Sequence, residues 1–269
     1  MILAAAFLHA LTNTITKASA DALLTRAFMS ALSAAVLLPF LWHVAPLTDA
    51  AWKILAASVV LHALYPFVLA ASYRGELSVV FPVARGISPI AVFLLVMALE
   101  AGWPSWQQAA GVATITAAIL WLSLQRLPST SARSIAFAVA TGLVIGMYTY
   151  LDAKGVREAA TPLSYIAWLI VIDGTLTTTC ITLYRRSAVL AYAREHWKTG
   201  TVAATLGVLN FGMALYAFSL GPAVEMAALR ETSVIFAAFL GAQVLREGSV
   251  ARRVAAAGAV VFGVVLMRF

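Results

Sequence analysis

The chain has 269 residues, of which 62% are hydrophobic and only 11% charged, with a formal net charge of +7. A soluble domain usually carries about 25% charged residues, so this chain cannot cover itself with a polar shell, and lipid is its natural solvent. The positive charge does not point to nucleic acid, because the basic residues sit at the ends of apolar segments rather than in patches.

The hydropathy pattern predicts an all-α, polytopic membrane protein with ten transmembrane helices, over 1–17, 22–43, 51–72, 77–99, 105–125, 132–151, 161–184, 197–219, 222–245 and 250–268. Each is long enough to cross about 30 Å of hydrocarbon at about 1.5 Å per residue. Near the N-terminus, Ala18–Ser19–Ala20 ahead of Asp21 resembles a signal-peptidase site. No Lys or Arg opens that segment, however, and Thr12, Asn13, Thr14 and Thr16 interrupt its apolar run, so a membrane helix is the better reading. Breaks between helices fall where Gly, Pro and charge gather: Pro46–Asp49, Arg74–Glu76, Gly102–Pro104, Pro128–Thr130 and Gly221–Pro222. Trp42, Trp52, Trp103, Trp106, Trp121 and Trp197 lie near helix ends, as an interfacial belt requires, and Trp168 lies inside helix seven. The Gly142–Gly146 pair fits a small-xxx-small packing face.

Basic residues set an expected orientation. Connections after odd-numbered helices hold Lys17, Arg26, Arg74, Arg126, Arg133, Arg185, Arg186, Arg194, Lys198, Arg246, Arg252 and Arg253; those after even-numbered helices, with the C-terminus, hold Lys53, Lys154, Arg157 and Arg268. The positive-inside rule places the odd connections in the cytoplasm and both termini on the other side. The expected location is a multi-pass protein of a bacterial inner (cytoplasmic) membrane.

The chain also resembles itself. At one offset Val79, Arg85, Ser88, Ile90, Leu95 and Ala110 fall on Val224, Arg230, Ser233, Ile235, Leu240 and Ala255; at a second, Thr12, Lys17, Asp21 and Ala22 fall on Thr149, Lys154, Glu158 and Ala159. The longer basic connection Tyr184–Lys198, set against His43–Lys53, accounts for the change of offset. Two halves of five helices each, 1–127 and 132–269, must insert with opposite orientation, the inverted repeat common in secondary transporters.

Four stretches carry a family likeness: His9–Ala10–Leu11–Thr12–Asn13 with Lys17, the run Leu77–Gly86 around Pro82 and Arg85, Ala228–Ser233, and Glu247 with Arg252–Arg253. With these the sequence resembles the drug/metabolite transporter superfamily, specifically its ten-helix members with two EamA-type halves. The family pattern ends the fourth helix of each half with a Glu; Glu247 fits, whereas the first half has Gly102 at that register and Glu100 two residues early. The resemblance implies movement of a small metabolite through a central cavity lined by helices three, four, eight and nine. In this chain those helices carry His62 and Tyr65, Arg85, Asn210 and Tyr216, and Arg230 with Glu231.

Charged residues near the bilayer centre cost at least ~2.5–3.5 kcal/mol and are candidates for function by default. Arg85, Arg230 and Glu231 lie about eight residues into their helices, roughly 12 Å deep. Pro82 and Pro89 predict a kinked or unwound segment around Arg85. A guanidinium offers a planar fork for a carboxylate or phosphate. Glu231 could neutralise Arg230 or act in proton coupling. The alternative is that each Arg sits in a permanent ion pair, with Glu231, Glu225 or Asp173 as partner for Arg230; the two roles can coexist. Asp173 and His62 are the other candidates for proton coupling, and His9 is a further solitary histidine. Lys17 and Lys154 each precede an acid, Asp21 and Glu158, by one helical turn, the spacing of a surface ion pair. Tyr65, Asn13, Trp168, Asn210 and Tyr216 are candidates to orient a substrate, and Tyr148 and Tyr150 share their character.

The lone Cys180 excludes an internal disulfide and a cysteine-based metal cluster. There is no phosphate loop, no H-E-x-x-H and no G-x-S-x-G, so neither an ATP-driven pump nor a recognisable hydrolase is expected. The function expected is secondary transport of a small polar, anionic or zwitterionic metabolite by alternating access, with no enzymatic activity, cofactor or metal. The competing readings are a pore-forming channel and a membrane-embedded scaffold or enzyme. The expected partners are the metabolite and membrane lipid; monomer and homodimer are both open.

Overall fold

The structure, a computed structural model, describes residues 1–75, 77–100, 103–123, 130–185, 188–236 and 250–267. Glu76, Gly102, Arg126, Pro128, Ser129, Arg186, Leu240, Arg246, Glu247 and Arg268 lie outside them. The described chain is all-α: α1 (Ile2–Ala18), α2 (Ala22–Leu37) with a 3-10 turn (Leu38–Trp42), α3 (Asp49–Ser72), α4 (Leu77–Leu99), α5 (Trp106–Ser123), α6 (Ala132–Glu158), α7 (Pro162–Arg185), α8 (Ala188–Glu195), α9 (Trp197–Leu220), α10 (Ala223–Arg230) and α11 (Val250–Leu266). Among the described residues, six stretches are long and apolar enough to cross a membrane: Ala22–Trp42, Asp49–Ser72, Val79–Leu99, Ala132–Glu158, Pro162–Arg185 and Trp197–Leu220; Ile2–Thr16 and Val254–Leu266 are shorter apolar helices.

Local chemistry sets where these helices begin. Asp21 Oδ1 accepts from the backbone N–H of Leu23 at 2.9 Å and of Leu24 at 3.1 Å, capping α2. Ser105 and Gln108 form a reciprocal capping box ahead of α5, each side chain accepting the other's backbone N–H at 3.2 and 2.9 Å. Thr161 Oγ1 accepts the Ser164 N–H at 3.2 Å, and Pro162, which lacks a donor, opens α7 where none is needed.

Four helical features differ from expectation. α4 runs unbroken through Pro82 and Pro89, so the unwinding expected around Arg85 is absent. In a membrane a proline is tolerated inside a helix packed against neighbours, and α5 packs on this stretch of α4, where Thr116 donates to the Gly86 carbonyl at 3.1 Å. The break falls instead in the ninth predicted span, where α10 stops at Arg230. α6 extends seven residues past the expected end at 151, and the basic connection Tyr184–Lys198 contains a short helix, α8, with no buried residue.

The chain forms two compact units, residues 1–63 with 151–220, and residues 64–150 with 221–269. In the first, α2 packs on α7 and α9, and α1 packs on α9. A Cβ at Gly174 would meet the Ser30 carbonyl at 2.6 Å, so the glycine lets α7 approach the α2 backbone. In the second unit, α4 packs on α5 and α10, and α5 on α11. A Cβ at Gly111 would lie 2.6 Å from the Gly263 carbonyl, so this pair brings α5 and α11 together. Gly142 and Gly146 do the same for α6 and α4: a Cβ would lie 2.6 Å from the Ala84 carbonyl and 2.9 Å from the Ser88 carbonyl. The small-xxx-small reading therefore holds. Lipid tails supply no hydrophobic drive between helices, so such close contact is what holds them. Trp42, Trp52, Trp103, Trp106, Trp121 and Trp197 are all exposed, as ring anchors facing headgroups must be.

Candidate functional site

The candidate residues separate into two groups, one in each unit. In the second unit, α4 carries Arg85 to Glu231 at the end of α10: Nη1 lies 3.5 Å from Oε1, and the two side chains are 5% and 3% exposed. Glu231 thus pairs with Arg85 from another helix, although Arg230, its neighbour in sequence, also acts on its charge. The Arg85 guanidinium sits over the Phe81 ring at 5.4 Å, and the phenols of Tyr65, Tyr73 and Tyr148 stand within electrostatic reach of it. Tyr65 and Tyr148 meet edge to face with centroids 6.0 Å apart.

Backbone geometry at Arg230–Ser233 explains why the helix breaks there. The N–H groups of Glu231, Thr232, Val234 and Ile235 bond three residues back, in the 3-10 manner, at 2.9 to 3.2 Å. The Thr232 hydroxyl also takes the Leu229 carbonyl at 2.7 Å. A short 3-10 segment inside a helical run often marks a functional hinge. Arg230, Glu231, Thr232 and Ser233 are all buried. Among the described residues, Arg230 Nε, Glu231 Oε2 and Ser233 Oγ have no hydrogen-bond partner. Such groups usually find one, because a buried unpaired polar atom costs about 1–3 kcal/mol. Glu225, another partner considered for Arg230, accepts from Gln108 Nε2 at 3.2 Å.

In the first unit the centre is Asp152, which the sequence reading passed over. Its Oδ1 accepts from Ser58 Oγ at 2.5 Å and from Tyr165 OH at 3.3 Å, and its Oδ2 lies 2.9 Å from His62 Nε2. α3, α6 and α7 each contribute, and the Asp152 and His62 side chains are 2% and 5% exposed. The Phe211 ring of α9 closes the far side of the imidazole, edge to face at 5.6 Å. Ser58 gives its proton to the carboxylate. Asp152 was missed because α6 was expected to end at 151, which made this acid a connection residue. Ala153, Gly155 and Val156, all buried, are the signal that the helix continues.

Several of the remaining candidates of this unit link helices to one another. Asp173 lies 3.5 Å from Arg26 and accepts from Thr177 at 2.9 Å, so Asp173 is the partner of Arg26. Asp21, besides capping α2, lies 3.5 Å from Arg185. His9 joins α1 to α9: the Asn13 amide lies 2.9 Å from its Nε2 and the Asn210 amide 3.1 Å from its Nδ1. Trp168 packs edge to face on Trp52 at 4.9 Å, and Tyr216 is half-buried on α9.

A polytopic helical membrane protein with ionisable groups buried at a helix break has the construction of a membrane transporter. Residues 132–269 match the EamA-like transporter family, and the chain belongs to that family, within the drug/metabolite transporter superfamily. A solved structure titled "Crystal structure of protein" aligns with 98% of this chain and 93% of its own at a TM-score of 0.72 and 15% identity. At that identity the likeness speaks for the fold alone. No match is found among curated proteins.

Proposed function

We propose that this protein is a secondary transporter for a small polar metabolite bearing a carboxylate or phosphate, anionic or zwitterionic, moved by alternating access. The observation that carries this reading is the buried group Arg85, Glu231 and Arg230 at a helix break. Two guanidinium groups and one carboxylate leave the site a net positive charge, which suits an anionic group. Arg230 Nε, Glu231 Oε2 and Ser233 Oγ each have bonding capacity left for a substrate. Glu231 can serve the ammonium of a zwitterion while Arg85 and Arg230 serve its carboxylate.

Ten spans in two inverted halves, 1–127 and 132–269, are part of this reading. Its support is that α2 packs on α7, α4 on α10 and α5 on α11. Each is the pairing of an element with its counterpart in the other half, as occurs for helices beside a pseudo-two-fold axis. The cytoplasmic placement of the odd connections belongs to the same reading.

Proteoliposome uptake of L-glutamate, glycine, succinate and inorganic phosphate tests it. Saturable uptake of at least one compound is expected, with loss in Arg85→Gln and Arg230→Gln proteins that fold normally. Full-rate transport by both variants would reject the site. Ohmic current in place of saturable uptake would favour a channel.

A further inference from the structure

Four buried or half-buried carboxylates of the described chain have a basic partner, and one differs in kind. Glu231, Asp173 and Asp21 each face an Arg at 3.5 Å. A guanidinium stays charged at any physiological pH, so the cation in each of those pairs is permanent. Asp152 faces His62 at 2.9 Å, and imidazole is the side chain whose ordinary titration falls between about pH 5 and 8. With a neutral imidazole the pair carries one negative charge; one proton from water makes it neutral overall.

The surroundings leave the histidine as the basic partner of this carboxylate. Asp152 and His62 lie inside α6 and α3, both long enough to span a membrane. About 20 Å of helix separates His62 from the Asp49 end of α3 and about 15 Å from the Ser72 end. The titratable group facing the pair from α7 is Tyr165; α9 presents the Phe211 ring. On α6 itself, Lys154 is exposed, and Arg157 donates from Nε to the Phe218 carbonyl at 3.0 Å. Among the described residues, then, no permanent cation neutralises Asp152. Ser58 and Tyr165 hold the carboxylate in place by hydrogen bonds without setting its charge.

The same pair lies close to a proline and to the ends of the first unit's share of each helix. Pro66 is inside α3 and lacks the N–H that would serve the His62 carbonyl four residues earlier. The division of the chain between its compact units falls after Ala63 in α3 and after Tyr150 in α6. The pair therefore ties these two helices beside the residues at which each leaves the first unit.

We propose that Asp152 and His62 form a proton-binding site that takes up one proton from water on one side of the membrane and releases it on the other, so that the coupling ion is a proton. The proton binding stands on the geometry alone; the coupling role rests on the transport reading. The first test is substrate-free. Infrared difference spectra, with imidazole NMR, follow the full-length protein in nanodiscs from about pH 5 to 9. Uptake of one proton at an imidazole or carboxyl is expected, missing in Asp152→Asn and in His62→Gln. No titration of this pair in the wild-type protein would overturn the proposal, whether or not the variants fold. The second test compares uptake of the four compounds above with and without a gradient of about one pH unit. Accumulation about tenfold higher is expected with the gradient, since one pH unit is worth about 1.4 kcal/mol, and Asp152→Asn is expected to lose this response. Wild-type uptake indifferent to the gradient overturns the coupling role. A pair that titrates in a protein that moves none of the compounds keeps the proton site and counts against the transport reading.

Discussion

Arg85 Nη1 lies 3.5 Å from Glu231 Oε1 across two helices, at the turn where α10 ends, and both side chains are buried. Removing one member of such a pair leaves an uncompensated charge, which costs about 3–5 kcal/mol. Glu231→Gln leaves Arg85 and Arg230 without the carboxylate on which both act, whereas Arg85→Gln leaves Glu231 with Arg230 still acting on it. We therefore expect Glu231→Gln to lower the melting temperature more than Arg85→Gln, and the double variant to recover much of the loss. Thermal unfolding in detergent measures this. Equal losses, summed in the double variant, would show that the two residues are not a unit.

Thr232 is expected to hold the helix break open. Its hydroxyl accepts no helix-continuing role; it donates to the Leu229 carbonyl at 2.7 Å. Thr232→Val keeps the volume and removes that bond, at a stability cost of about 1 kcal/mol. If the break serves transport, the uptake rate falls well beyond what this cost explains. A variant with unchanged uptake would show that the break is passive.

Gly142 and Gly258 provide a matched pair for testing helix contact. A Cβ at Gly142 would sit 2.6 Å from the Ala84 backbone oxygen, which cannot step aside without moving α4. Gly142→Ala is expected to cost about 1–3 kcal/mol. Gly258 has nothing within 4 Å of its would-be Cβ, so Gly258→Ala should be neutral or stabilise by about 0.5–1 kcal/mol through helix propensity. The comparison of melting temperatures is the check, and similar values for both would contradict the close approach.

Asn210→Leu removes the amide that joins α9 to His9 of α1. Polar ties between membrane helices average only about 0.6 kcal/mol, so a small drop in melting temperature is expected, with uptake retained. Loss of uptake in a well-folded variant would instead assign Asn210 to the substrate path.

Much of the fold was legible in the sequence because the membrane imposes it. A backbone in hydrocarbon must satisfy its own hydrogen bonds, so long apolar segments read directly as helices, and the exposed tryptophans and the Gly142–Gly146 face fell where their chemistry put them. Proline was a poor guide. Pro82 and Pro89 suggested a kink or local unwinding, yet α4 runs as one helix through both, because proline is tolerated inside a membrane helix packed against neighbours. Asp152 was invisible for a related reason: an acid near a helix end looks like a surface residue until the helix proves longer.

Composition and hydropathy alone determined the solvent, the helical class and the rare buried charges Arg85, Arg230 and Glu231, since each follows from the cost of moving a residue type into lipid. Tertiary structure alone decided partnership: Arg85 with Glu231, Arg26 with Asp173, and His62 with Asp152. Those pairings depend on how helices distant in sequence are rotated and set in register against each other. Packing contacts between small residues fix that geometry, and no single segment encodes it.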